Sequence, residues 1–403
     1  MYETLDEVTL KDGRGAKVGV VTAPDRDWSG ILEHFLAHQG PLWSWQHRTL
    51  LRTETAISVY YYVLHVSGRP VSVMMTAESK GVGIRGHVWT PPAQRRLGAS
   101  SRLMRSQMAH FRARGGRFLG AHTDYNSAAY HLYRRHGFEE TESFGGHMAF
   151  YGGSPADFRA DYFAPAETTI EPLGWSSWAT APVLFMSDCG GQVKCAALRL
   201  VGQLSSEEPL LNALRTQNES SETPRVRVLR NSRTGAVVGV AAWSLHPGFG
   251  DACLVDFYCH PDFWDRAQDL FDALELPPSR RWLCFGDASQ VEKARVLSGR
   301  GFRQVAVWRD FPIDLCRHPF ERLPRNPRRG RLAKAAWTVG HWIDRPISGS
   351  WRFFTRTAGL PARIPTRWPR FPWTHRLFTT LVLYERKESA SAAQDPKAAR
   401  PDR

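Results

Sequence analysis

Between Val88 and Met104 the chain reads V-W-T-P-P-A-Q-R-R-L-G-A-S-S-R-L-M. The pattern predicts a strand ending near Trp89, a tight basic loop, and a helix opening near Ala99. Proline lacks a backbone N–H and cannot continue a ladder, so Pro91 and Pro92 stop the strand. The first N–H groups of a helix have no partner inside it, and the macrodipole adds partial positive charge there. Gln94, Arg95 and Arg96 add donors and charge, and Gly98 lets a ligand approach the backbone. Strand, basic loop and helix start together suit an anion of diphosphate size.

A second pattern follows at Asn126, Ala129, Tyr133, Gly137 and Phe138. The two patterns in this order resemble the GNAT family of N-acetyltransferases. That family pairs a V-x-x-x-P-x-x-R-x-x-G-x-G/A loop with an N-x-x-A-x-x-x-Y-x-x-x-G-F helix. Val88, Pro92, Arg95 and Gly98 fit the first pattern, with Ser100 where Gly or Ala is usual. The resemblance implies acetyl-coenzyme A as co-substrate, gripped by Arg95, Arg96, Leu97, Gly98, Ala99, Ser100 and Ser101, with Asn126 nearby. It implies that the Val88 N–H holds the thioester carbonyl and that Tyr133 is the general acid, with Tyr130 able to share its face. His87 is the first candidate for the base, since imidazole titrates near neutral pH. Alternation along a strand puts Arg85 and His87 on one face and Val88 on the other. Glu78, His122, Asp124 and ordered water are rivals.

The implied fold is a mixed α/β (α+β) sheet over residues 14–152. Its order recurs over residues 165–315. There Arg225–Arg230 and Ala236–Leu245 read as a hairpin, and Ala252–Cys259 as a strand running into His260-Pro261. The economical account is tandem GNAT-like folds. The second has lost the chemistry: Trp264 stands for Arg95, Ala267 for Gly98, Gln290 for Asn126 and Leu297 for Tyr133. Asp265 and Asp269 bring negative charge to the helix start, which repels a diphosphate. Its expected roles are packing and shaping the cleft. More distantly the body is similar to the enhanced-intracellular-survival type of aminoglycoside acetyltransferase, in Thr90, Pro92 and the degenerate second unit. The short polar end Ser389–Arg403 shares neither the lipid-carrier-like domain nor the catalytic terminus of that branch.

Charge sets the last segment apart. The 403 residues carry a formal net charge of +14, and residues 317–403 hold 19 Lys+Arg against 6 Asp+Glu. Residues 317–388 form a basic extension in which Arg328, Arg329, Arg331, Arg367 and Arg370 alternate with Trp337, Trp342, Trp351, Trp368 and Trp373. Such a segment can bind nucleic acid or an anionic membrane. Wrapping the body with tryptophans as anchors is the preferred reading, because tryptophan is costly to leave solvated. The run Phe378–Tyr384 reads as a last strand of the second unit, and residues 389–403 as disordered.

The six cysteines form no C-x-x-C pair, so no metal site is expected and buried free thiols are. Met1–Glu7 has no apolar core and no apolar run reaches membrane-spanning length, so the expected compartment is the cytoplasm. The function expected is an acetyl-CoA-dependent N-acyltransferase acting on a small-molecule or peptide amine. The alternative is a non-catalytic acyl-CoA-binding protein whose extension docks on nucleic acid, a membrane or a partner.

Overall fold

The run Ser-Val-Tyr-Tyr-Tyr-Val-Leu-His-Val alternates faces along a strand. Val59, Tyr61 and Val63 enter one core and Tyr62 and Leu64 the other, so this sheet is covered on both sides. The computed structural model describes residues 1–142, 145–219, 225–246, 251–279, 281–314 and 376–387. In chain order the first unit has strands β1 Tyr2–Thr9 and β2 Gly15–Ala23, then helices α1 Arg26–Leu36 and α2 Pro41–Arg52. Strands β3 Ser58–Val66, β4 Arg69–Ser79 and β5 Val82–Trp89 lead into helix α3 Ala99–Ala113. Strand β6 Phe118–His122, helix α4 Ala128–Arg135, strands β7 Glu139–Glu140 and β8 His147–Tyr151, and helix α5 Pro155–Tyr162 follow.

The second part begins with strand β9 Thr168–Pro172 and helices α6 Trp175–Thr180 and α7 Pro182–Met186. Short strands β10 Val193–Cys195 and β11 Leu200–Val201 precede helix α8 Glu207–Glu219. Strands β12 Val226–Asn231, β13 Val237–Leu245 and β14 Ala252–Cys259 lead to helix α9 Ala267–Asp272. Strand β15 Arg281–Asp287, helix α10 Val291–Gly299, and strands β16 Arg303–Asp314 and β17 Arg376–Lys387 complete it.

The two large sheets share one plan. The first runs β1-β2-β3-β4-β5-β6-β8-β7 and the second β16-β17-β15-β14-β13-β12-β9. Read from β2 and from β9, the orders coincide strand for strand. In each, one parallel pair (β5 with β6, β14 with β15) sits among antiparallel ones. The strand-forming run near residue 380 lies in β17, between β15 and β16. Strand β1 extends the first sheet upstream of residue 14, and its hairpin turn braces the basic loop through Lys11 N–H donating to Leu97 O at 3.2 Å.

The units are not separately cored. Helices α6 and α7 pack on β4, β5 and β6 of the first sheet. One continuous cluster joins Leu50, Leu51 and Tyr61 to Trp178, Phe185, Leu210 and Leu211. Each such side chain contributes about 1.5–3 kcal/mol when fully buried, so the interface is an interior. A separate cluster on the other face of the first sheet packs α3 and α4 through Leu103, Met104, Phe111 and Tyr133.

Both parallel pairs part after three residues. β5 and β6 pair from Val82 to Ile84, and β14 and β15 from Ala252 to Leu254. What fills the opening differs. In the second unit β10 packs against both β14 and β15. Asp287 Oδ2 accepts the Gln192 and Val193 N–H groups at 2.5 and 3.1 Å, and Asp256 Oδ2 accepts Ala196 N–H at 2.6 Å. Lys293 Nζ pairs with Asp256 Oδ1 at 2.5 Å, both side chains being fully buried. The chain's own backbone therefore occupies the slot, and β13 with β14 keeps an unbroken register from Leu245↔Cys253 to Gly239↔Cys259.

Cys195, Cys253, Cys259 and Cys284 are buried free thiols and Cys189 is half-buried and free. Among the described residues no His/Cys/Asp/Glu group could hold a metal, and no helix is long and apolar enough to cross a membrane. Cys316, residues 317–375 with their arginines and tryptophans, and residues 389–403 lie outside the described residues.

Candidate active site

In the first unit the opening between β5 and β6 is empty of chain. It leads into a cleft of about 1050 Å3 lined from both units. Arg85, His87, Val88 and Tyr133 contribute from one side, and the segment from Ala197 to Asn212 supplies much of the other.

The edge of β5 is reshaped by one inserted residue. Register passes from Met75↔Gly86 to Val73↔Trp89, so His87 and Val88 together oppose Met74. This β-bulge holds His87 in the left-handed region at φ 57. A branched or bulky residue there is an outlier costing about 1–3 kcal/mol, which the surroundings must hold in place.

The bulge overturns the alternation expected for this strand. Arg85 and Val88 share the α3–α4 face, Val88 packing with Leu97 and Ala129. His87 points to the α1–α2 face, its ring 5.1 Å from that of Trp43 and 4.2 Å from that of His47.

His87 Nδ1 lies 2.6 Å from Gln39 Oε1 and Nε2 3.0 Å from Gln46 Oε1. A neutral imidazole has one N–H, and Gln46 Nε2 is buried without a partner. Turning the Gln46 amide over lets it donate to His87 Nε2 while Nδ1–H donates to Gln39. Burial drives the His87 pKa down to about 3. Burial thus favours the neutral imidazole, which braces the bulge, and disfavours the proton-acceptor role expected from the sequence.

Arg85 is 1% exposed. Its Nε donates to Gln107 Oε1 at 2.8 Å and its Nη2 to Met74 Sδ at 3.2 Å, while Nη1 has no partner. The guanidinium carbon stands 4.1 Å from the Tyr133 ring centroid. Burial pulls the Arg85 pKa below the usual range. Tyr133 is buried on α4 and lines the cleft, as does Val88. Tyr130 instead lines a smaller cavity on the outer side of α4.

The basic loop is built for an anion, with different members than its arginine count suggests. Gly98, the N-cap of α3, has φ 84 and Arg96 φ 68, and no side chain caps the first turn. A Cβ on Gly98 would meet only the ends of Arg102 and Lys11, at 3.9 and 4.0 Å. Free N–H groups with two flanking cations fit the diphosphate of a coenzyme A thioester. Arg95 folds back: its Nε donates to Thr90 O at 3.0 Å and its guanidinium lies 5.2 Å from the Trp89 ring centroid. Gln94 Oε1 accepts from Arg14 Nη2 at 2.7 Å. Ser100 Oγ is stitched to Thr90 Oγ1, and that to Ser72 Oγ, each at 2.8 Å. Arg95, Gln94 and Ser100 thus shape the loop, whereas Arg96 and Ser101 are open to a ligand.

Asn126, at φ 57, accepts from His131 at 2.8 Å. It lines the smaller cavity with Tyr125, Arg134 and Arg135 and does not line the main cleft. Glu78 is tied to Arg114 at 2.9 Å, and burial raises its pKa. Neither Glu78 nor Asp124 lines the cleft. His122 does, stacked on His147 at 4.1 Å.

Sequence reasoning missed Arg85 as an unpaired buried cation and missed Glu207, whose carboxylate abuts β5. A Cβ on Gly86 would stand 3.3 Å from Glu207 Oε1. Arg85 is regularly paired opposite Thr76, and the bulge that follows brings Val88 onto its face. Glu207 carries no local signal.

Residues 28–138 match the model of the acetyltransferase (GNAT) family. No curated protein matches the chain. Among solved structures, the GNAT domain of S. lividans PAT is 18% identical, covering 36% of this chain and 96% of its own, with a TM-score of 0.27. The ribosomal-protein-S18-alanine N-acetyltransferase of Escherichia coli is 16% identical, covering 34% and 95%, with a TM-score of 0.28. The PaiA N-acetyltransferase of Thermoplasma acidophilum, solved with coenzyme A, is 9% identical, covering 33% and 98%, with a TM-score of 0.26. The likeness to the acetyltransferase (GNAT) family is thus carried by residues 28–138 of the chain.

Proposed function

We propose that the protein is an N-acyltransferase that moves an acetyl group from acetyl-coenzyme A to an amine in the cleft between the two units. The observation that carries this reading is the joining of Val88 and Tyr133 on one wall of that cleft, at a bulge that leaves two residues of β5 opposite one of β4. The first turn of α3, with Arg96, Arg102 and Lys11, holds the diphosphate. The Val88 N–H, released from ladder pairing, points a donor at the thioester carbonyl, where negative charge develops during attack. Tyr133 protonates the departing sulfur, since its phenol O–H is the donor on that wall of the cleft. The second unit is read as a degenerate copy whose own slot is closed by β10 and whose helices wall the active cleft.

Isothermal titration with acetyl-coenzyme A, together with thiol release across a panel of primary amines, tests the proposal. Binding by the wild type that is lost in Gly98→Asp with Arg96→Glu supports it. An unchanged titration in that variant, or no thiol release with any amine, overturns it.

A further inference from the structure

In the first unit His87 is held uncharged by burial, Glu78 is paired with Arg114, and His122 lines the cleft stacked on His147. The other wall of the cleft holds Glu207, in the first turn of α8. Its side chain is 8% exposed. Among the described residues its carboxylate has no hydrogen-bond or ion-pair partner; only its backbone is engaged, Trp178 Nε1 donating to Glu207 O at 3.0 Å and Ser205 Oγ accepting its N–H at 3.3 Å. Those two contacts fix the helix start, and Oε1 rests against Gly86, the last residue before the bulge. A Cβ at Gly86 would press on that oxygen at 3.3 Å, so a larger residue there needs the carboxylate to give way.

We propose that the second unit completes the catalytic centre of the first by supplying Glu207 as the proton acceptor for an acceptor amine that arrives as an alkylammonium ion. The proposal rests on the transferase reading above. Glu207 takes one proton from the ammonium. The freed nitrogen lone pair forms the C–N bond at the thioester carbonyl carbon, and the C–S bond breaks with its electron pair on sulfur. Tyr133 gives sulfur its proton and is replenished by the second proton that nitrogen loses. Glu207 returns its proton to solvent, so acetyl-CoA and R-NH3+ become amide, thiol and one released H+.

Burial, with the neighbouring Glu208 carboxylate second, raises the Glu207 pKa to about 8, a basicity that suits deprotonation of an amine near neutral pH. Glu208, exposed at the same wall, adds a negative charge beside Glu207 that can receive the ammonium. Arg85, His87, His122, Tyr133, His147, Arg199 and Arg225 are the other titratable groups lining the cleft; of the helices packed on α8, α6 carries none and α2 carries His47, Arg48 and Arg52.

The test is Glu207→Gln, which keeps shape and removes the base. Thiol release from acetyl-CoA with an alkylamine panel should fall about 100-fold in kcat/KM at pH 7, with the acidic limb of the pH profile flattened. Acetyl-CoA affinity by titration should stay unchanged, and Glu207→Asp should recover part of the rate. Wild-type turnover that Glu207→Gln retains, with the same acidic limb, overturns the role of Glu207 alone. No wild-type turnover with any amine overturns the transferase reading and this one with it.

Discussion

The guanidinium of Arg85 lies 4.1 Å from the ring centroid of Tyr133, and no carboxylate among the described residues pairs with it. A cation this deep gains most from an anion beside it, and the proposed transfer would make one transiently at Tyr133 or at the departing sulfur. Arg85→Met should therefore lower kcat by about 10- to 100-fold with little change in KM. Its melting temperature should stay level or rise, because a desolvated charge is removed. Steady-state kinetics with a thermal melt check both; an unchanged kcat would make Arg85 a packing residue.

Arg95 and Arg96 are adjacent yet differ in role. Arg96→Glu should weaken acetyl-CoA binding by about tenfold or more, from charge reversal beside the free first turn of α3. Arg95→Gln should act through the loop instead, lowering stability by about 1 kcal/mol through the loss of the Thr90 contact. Titration and chemical denaturation of both variants separate the effects.

His87 predicts an acid sensitivity. Its folded pKa of about 3 lies below the ordinary value of 6.5. Stability is fully present above 6.5 and is lost as pH falls from 6.5 toward 3, because the unfolded chain binds the proton more readily. His87→Asn keeps a residue that tolerates the left-handed backbone and removes the titration. Its melting temperature should fall less steeply than that of the wild type between pH 6.5 and 4.

Glu207 predicts the opposite slope at higher pH. A carboxyl raised to about 8 supports the folded state below its unfolded value near 4.5, and that support is lost as pH rises through 8. Glu207→Gln should be more stable than the wild type at pH 9 and nearly equal to it at pH 4.5, read by thermal melts at the two pH values.

Lys293 and Asp256 hold the segment that closes the second unit's slot and continues into the wall of the cleft. Lys293→Met leaves Asp256 buried and unpaired, at a cost of about 3–5 kcal/mol. Adding Asp256→Leu should restore part of that stability. The double variant should still show a raised KM for the amine, because the strap from β10 to α8 has lost its anchor. A KM equal to the wild type in a folded double variant would sever wall from lock.

Val88, Pro92, Gly98, Tyr133 and the Gly137-Phe138 turn were legible in the sequence, because each meets a local demand of strand end, helix start or helix end. The repeated plan was legible for the same reason: Pro261 and Gly301 punctuate the second unit as Pro92 and Gly137 do the first. Residue type shows the charge of Arg95 and not its direction; Trp89 and the Thr90 carbonyl decide where it points.

The sequence by itself determined a strand, a basic loop and a helix start, a tyrosine on the following helix, and a second unit of the same plan without that loop chemistry or that tyrosine. Only the tertiary structure decided the rest. One inserted residue at the β4–β5 pairing put Val88 on the face of Arg85 and Tyr133 and turned His87 away, and strand alternation cannot foresee an insertion that depends on the neighbouring strand. Packing of α6 and α8 against the first sheet brought Glu207 onto Gly86. Those residues lie far apart in the chain, and no local periodicity records a contact made by folding one unit onto the other.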